Sequence, residues 1–201
     1  MSTAQTKSRR NIRTALGSAA AVAALAAGVV LSAGGAQAHV INELAPSGAS
    51  PWLYSESWKL TGYGYNTAPT HVDVYQGNHI SDQYALDMTP YGLSAEGRNV
   101  YPMWDGMTVY AISSGTGGMY LRKTINGAVY EQKVLHMKNL RYGVGATVGT
   151  MNVIGSTSST GTSSPHLHLA IHKIVNGTRY AVRPVVCGKE ITSRTLTYKG
   201  C

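Results

Sequence analysis

The chain has 201 residues, among them seven histidines, two cysteines, thirteen tyrosines and no phenylalanine. Its formal net charge of +8 comes from 17 basic and 9 acidic residues, and the basic residues are scattered along the chain. The dense basic stripe of a nucleic-acid-binding protein is absent from the sequence, so we exclude nucleic acid as the expected partner.

Residues 1–38 are predicted to be a secretion signal peptide. A basic start precedes an apolar run over residues 15–31, and Ala36-Gln37-Ala38 fits the small-x-small cleavage pattern. Ser8-Arg9-Arg10 allows twin-arginine export, but the residues after it match that signal poorly, which favours general secretion. Cleavage leaves residues 39–201, which contain 13 basic and 9 acidic residues and so carry a net charge of +4. No second apolar run is long enough to span a bilayer, so we expect a secreted monomer without a stable membrane anchor.

The remaining chain predicts an all-β, antiparallel fold with long loops. It contains many glycines and short β-rich runs separated by turn signals, and it lacks sustained helical periodicity. Two Asn-Gly pairs, the favoured residues of a type I′ turn, mark two β-hairpins. The predicted strands are 71–75, 83–88, 107–112, the first hairpin at 120–125 and 128–136, and the second at 166–175 and 178–182.

We divide the exported chain into an N-terminal arm at 39–70, a central domain at 71–186 and a C-terminal segment at 187–201. The arm is either an inhibitory cover over a cleft or an extra strand. Because an exported protein meets an oxidising environment, Cys187 and Cys201 are predicted to form a disulfide. Closing a loop of about 15 residues stabilises a fold by roughly 3 kcal/mol.

The most informative residues are the histidines of Pro165-His166-Leu167-His168. Side chains two apart on a strand share a face, so both imidazoles look into the same space. Imidazole is a common zinc ligand and the usual general base near neutral pH. The first hairpin delivers His136 at its exit, and an upstream segment supplies His79 and Asp87. Three such ligands with one open position suit a catalytic zinc, whose bound water has a pKa of about 7.

Spacing leaves several assignments open. Either His166 or His168 could be the metal ligand, Asp82 competes with Asp87, and His71 with Asp73 competes as the first pair. Two neighbouring features are expected to lie at the surface: His172, and residues 155–164 as a flexible loop that rims the cleft.

The order of these motifs resembles the lysostaphin/LytM-type zinc endopeptidases over roughly residues 77–172. The matching elements are His79 with Tyr84-Ala85-Leu86-Asp87, a Gly-Met-Thr-Val strand, a Leu-His-Met turn and Pro-His-Leu-His behind a glycine loop. The resemblance implies a small antiparallel β-sheet groove walled by loops. It also implies a zinc-dependent peptidase of the bacterial cell wall that cuts peptide bonds in peptidoglycan cross-links.

Carried over residue by residue, the resemblance implies that Zn²⁺ is bound by His79, Asp87 and His168. His136 and His166 would be the two catalytic histidines that are not ligands. The sequence departs from many members of the family, since His79 and Asp87 are eight residues apart rather than four.

Two functions of other classes compete with this one. Cleavage after residue 38 would place His39 at the N-terminus, where the free amine and the imidazole can bind copper, as in copper polysaccharide monooxygenases. A non-catalytic module that binds the cell wall is the second alternative. The copper alternative leaves the His-Leu-His element unexplained.

Overall fold

The computed structural model describes residues 40–64, 72–75, 78–192 and 196–201, and among these the side chains of 41–61, 82–192 and 196–201. The predicted signal peptide, His39 and His71 lie outside the described residues. The described part of the chain contains strands and no helix, and accordingly no helix long and apolar enough to cross a membrane.

Seventeen strands make up the regular structure of the described residues. In chain order they are β1 Val40–Leu44, β2 Ser57–Gly64, β3 Val72–Tyr75, β4 Asn78–Ser81, β5 Leu86–Pro90, β6 Asn99–Val100, β7 Met107–Ser113, β8 Gly118–Ile125, β9 Ala128–Leu135, β10 Met137–Lys138, β11 Thr147–Val148, β12 Gly155–Thr157, β13 Leu167–Val175, β14 Thr178–Arg183, β15 Val185–Val186, β16 Lys189–Glu190 and β17 Tyr198–Lys199.

Ten of these strands form the main sheet, in the order β11-β7-β8-β9-β13-β5-β2-β17, with β14 beside β13 and β1 beside β14. All its pairings are antiparallel except that of β1 with β14. β13 is the central strand, because it pairs with β9 on one side and with β5 and then β14 on the other. The described part of the N-terminal arm therefore contributes two strands, β1 and β2, to this sheet.

Alternation along β13 separates the core from the opposite face of the sheet. Leu167, Leu169 and Ile171 are almost completely buried in the hydrophobic core. His168 and His172 alternate with them in sequence and face the other side, as a period of two requires. The sequence has no phenylalanine, and the almost completely buried core side chains include Trp52, Trp58, Met88, Met103, Met107, Met119 and Met137.

The predicted all-β antiparallel fold is confirmed, and so are both hairpins. Asn126 and Asn176 have φ of 50°, and the glycines that follow them have φ of 80° and 79°, as a type I′ turn requires. The structure also contains the disulfide between Cys187 and Cys201.

One local expectation is wrong. Residues 155–157 belong to a buried strand, β12, which pairs with β10 and β6. Ser158 and His166 then pair in an isolated β-bridge, and the rest of the predicted loop lies between these two residues without regular structure. The small side chains of this segment allow it to lie buried between two strands, which composition alone does not distinguish from a loop.

Candidate active site

Three neighbouring strands bring the predicted site residues together. In the pairing of β13 with β5, His168 lies directly opposite Asp87. On the other side of β13, His168 lies opposite Leu135, the last residue of β9, and His136 follows immediately. His166 precedes β13 by one residue. Strand register therefore places four predicted site residues at one end of the same sheet face.

The four side chains are in contact. Nδ1 of His168 lies 3.0 Å from Oδ1 of Asp87, and Nε2 of His166 lies 3.5 Å from the same oxygen. The ring centroids of His136 and His166 are 4.6 Å apart, and those of His136 and His168 are 5.9 Å apart. The result is a compact group of three imidazoles around one carboxylate.

A tight turn holds His136 in place. Its backbone has a φ of 62°, in the left-handed region that residues other than glycine seldom adopt. The His136 N–H donates to the Thr116 carbonyl at 2.8 Å, and the His136 carbonyl accepts from the Ser158 N–H at 2.6 Å. Such a backbone is stable only where its surroundings fix it, and residues of this kind cluster at active sites.

Hydrogen bonds to carbonyl oxygens determine the tautomers of two of the histidines. Nδ1 of His136 lies 2.9 Å from the Thr160 carbonyl, and Nδ1 of His166 lies 2.9 Å from the Ser164 carbonyl. A carbonyl can only accept, so in both rings Nδ1 carries a proton, and the neutral form of each ring has its lone pair on Nε2. Burial lowers the pKa of His136 to about 4, which keeps its imidazole neutral at neutral pH.

The second ring nitrogen of His168 faces a second carboxylate. Its Nε2 lies 3.2 Å from Oδ2 of Asp82, on the opposite side of the ring from Asp87. Burial acts to lower the pKa of His168, but the two carboxylates outweigh it and raise that pKa to about 9. Asp82 and Asp87, which compete as metal ligands on spacing alone, therefore contact different nitrogens of the same imidazole.

Asp82 belongs to a buried group of charged residues beneath the site. Its Oδ2 accepts from Nζ of Lys133 at 2.6 Å, and its Oδ1 is 3.1 Å from Nε2 of His172. Burial acts to raise the pKa of Asp82, but these partners and His168 hold it well below its usual value. The expectation of an exposed His172 is wrong, because its side chain is completely buried against Asp82.

Glu131 forms a second buried ion-pair group on the same face. It is completely buried, and its carboxylate accepts from Nε of Arg122 at 2.7 Å and from Nε of Arg179 at 2.6 Å. Its Oε1 lies 3.8 Å from Nδ1 of His172, so the two ion-pair groups adjoin one another.

These residues could have been noticed in the sequence. Glu131 and Lys133 carry opposite charges two positions apart in the middle of a predicted strand, so they share a face. On β13, His168 and His172 flank Ala170, whose small side chain leaves room above the strand; Ala170 pairs with Lys133. Charges of opposite sign within a central strand indicate a buried polar layer rather than a solvated face.

The donor set at the cluster is suited to zinc. Two ligands at 2.0–2.1 Å from a tetrahedral zinc ion are about 3.3 Å apart, and the facing atoms of His168 and Asp87 are 3.0 Å apart. The described residues contain no group of three or more His, Cys, Asp or Glu arranged to hold a metal ion. The backbone of the third predicted ligand, His79, lies in β4 opposite Val74, and its side chain is outside the described residues.

Comparison with known proteins finds similarity over the part of the chain that contains the three histidines of the site. Residues 91–184 match Peptidase family M23. The glycyl-glycine endopeptidase ALE-1 of Staphylococcus capitis is 31% identical over 119 residues, which cover 57% of this chain and 30% of that protein. The chain thus spans less than a third of the length of this relative.

Solved structures give matches to lysostaphin, an antimicrobial peptidase of Staphylococcus simulans. Its catalytic domain is 26% identical, with a TM-score of 0.43 and coverage of 59% of this chain and 84% of that one. The longer lysostaphin structure is 25% identical, with a TM-score of 0.45 and coverage of 67% and 52%. Residues 91–184, the part of the chain that matches Peptidase family M23, include His136, His166 and His168.

Proposed function

We propose that this protein is a secreted zinc endopeptidase that hydrolyses peptide bonds in the cross-links of bacterial peptidoglycan. The single observation that carries the proposal is the contact of His136, His166, His168 and Asp87 at one end of a sheet face. The three histidines lie within the residues that match a peptidase family. Three imidazoles and a carboxylate supply both metal ligands and proton-transfer groups.

Zinc would be held by His79, Asp87 and His168. Bound there, zinc acts as a Lewis acid that polarises the scissile carbonyl and lowers the pKa of water. Asp87 and His168 lie directly opposite one another in adjacent strands, so the sheet itself fixes their separation. β4 ends only a few residues before β5, which limits how far His79 can lie from Asp87.

His136 and His166 would transfer protons. In each ring the Nδ1–H is bound to a backbone carbonyl, which directs Nε2 away from the backbone and leaves its lone pair available. His136 is neutral at neutral pH, so it can accept a proton from the attacking water; its low pKa makes the resulting imidazolium a strong acid. That acid can then protonate the departing amine. The Nε2 lone pair of His166 can accept a hydrogen bond from the attacking water and so help to position it.

The relatives and the charge support the proposed substrate. ALE-1 is named as a glycyl-glycine endopeptidase, so glycine bridges are the first cross-links to test. The net charge of +4 predicted for residues 39–201 suits attraction to an anionic cell wall.

The test compares metal content and activity in three purified proteins: wild type, His168→Ala and His166→Ala. Mass spectrometry should find about one zinc per wild-type chain, with peptide released from purified sacculi. His168→Ala should lose both zinc and activity, whereas His166→Ala should keep zinc and lose most activity.

Each alternative gives a different result. Copper that survives His168→Ala would move the chemistry to His39. Binding to sacculi without metal or peptide release would indicate a non-catalytic module. Full activity in His168→Ala would refute the ligand assignment.

A further inference from the structure

We propose that Asp82 is a positioning residue that fixes the imidazole of His168 so that Nδ1 faces the metal. The inference rests on the proposed function, because it concerns how one zinc ligand is oriented. It assigns to Asp82 a role other than that of a ligand.

The geometry around His168 carries the inference. Asp87 lies 3.0 Å from Nδ1 and Asp82 lies 3.2 Å from Nε2, so the two carboxylates address opposite nitrogens of one ring. A metal between Nδ1 and Asp87 requires the Nδ1 lone pair, and the ring proton must then reside on Nε2. Asp82 is placed to accept that proton in a hydrogen bond. A carboxylate on the far nitrogen of a metal-bound histidine fixes its tautomer and orientation and raises its basicity.

Side chains from two strands, β9 and β13, hold the carboxylate of Asp82 in place. Lys133 of β9 donates to the same oxygen that faces His168, and His172 of β13 binds the other oxygen. Asp82 and Lys133 are both nearly completely buried, at 3% and 1% exposure, so the surroundings leave Asp82 little freedom to rotate. Ala170, between the two histidines on β13, lies opposite Lys133 in the sheet.

The chain places Asp82 close to the proposed ligands. It lies in the turn between β4 and β5, where its carbonyl accepts from the Ala85 N–H at 2.8 Å. The segment that contains His79 and Asp87 therefore supplies two proposed ligands and the group that orients the third. The side-chain contacts of Asp82 within the described residues are to Lys133, His168 and His172. Replacement of Asp82 should therefore change zinc affinity more than it changes proton transfer by His136 and His166.

A direct test must separate the orienting effect of Asp82 on His168 from its neutralisation of the Lys133 charge. Asp82→Asn alone would remove the carboxylate that neutralises buried Lys133 and could unfold the protein. The informative comparison is therefore Lys133→Met against the double variant Asp82→Asn/Lys133→Met, with Glu190→Gln as a control at a distant ion pair. Melting of each metal-free protein establishes that it folds.

Zinc affinity, measured by competition with a chelator, should be 10–100-fold weaker in the double variant than in Lys133→Met. Histidine nitrogen NMR of the zinc-loaded wild type should show His168 protonated at Nε2 and metal-bound at Nδ1. Equal zinc affinity in the two variants, or zinc on Nε2, would overturn the inference while leaving the proposed function intact. A wild-type protein that binds no zinc would overturn both.

Discussion

Gly117 packs against the turn that holds His136, and its replacement by alanine should reduce the proposed activity without changing zinc affinity. Gly117 has a φ of 58°, and a Cβ at this position would lie 2.0 Å from the Met137 carbonyl oxygen. Since approaches below 3.0 Å require a shift, the Met137 backbone must move by about 1 Å. Met137 follows His136 directly, and its N–H donates to the Gly117 carbonyl. A misplacement of about 1 Å can reduce catalysis roughly 100-fold.

The matched control is Gly127→Ala at the far end of β9. Gly127 has a φ of 80°, and no atom lies within 4 Å of the position that a Cβ would occupy. The substitution therefore isolates the cost of a left-handed backbone, about 1 kcal/mol. We expect Gly117→Ala to lose about 100-fold in kcat on sacculi with zinc affinity unchanged, and Gly127→Ala to keep full activity. A kcat for Gly117→Ala equal to that of Gly127→Ala would refute the reasoning.

Two further predictions concern stability. Glu131→Gln leaves two arginines facing a neutral group and should lower the free energy of unfolding in urea by about 3 kcal/mol. Glu190→Gln, at the partly exposed pair with Arg183, should cost under about 1 kcal/mol; equal costs would contradict the importance of burial. Replacing Cys187 and Cys201 together by serine should cost about 3 kcal/mol and lower Tm in calorimetry by roughly 6–12 °C. Activity at 25 °C should survive, and an unchanged Tm would show that the disulfide adds nothing to stability.

Local patterns are sufficient to predict much of the fold. Asn126 and Asn176, each followed by glycine, locate both hairpins because few residue pairs accept positive φ at two successive positions. Alternation in β13 correctly separates Leu167 and Leu169 from His168. The disulfide follows from the number of cysteines and the expected compartment.

The remainder depends on strand register, which no local pattern contains. Asp87 and His168 are 81 residues apart, and only the pairing of β5 with β13 brings them together. The environment of Asp82 needs contributions from three separate segments, so a short spacing rule can identify it only as a competing ligand. The position of His172 along its strand says nothing about the residues that cover it, and for this reason the sequence alone places it wrongly at the surface.

The central place of β13 in the sheet determines when the site residues can come together during folding. By the time β9 has been synthesised, the chain contains Asp87 but neither histidine that follows Pro165. β5 and β9 flank β13 in the described sheet and do not pair with one another, so the cluster has no framework until β13 is inserted between them. Contacts over such long sequence separations form slowly. An unfolded or incomplete chain thus has no assembled site, and the cluster of His136, His166, His168 and Asp87 forms only when the sheet is complete.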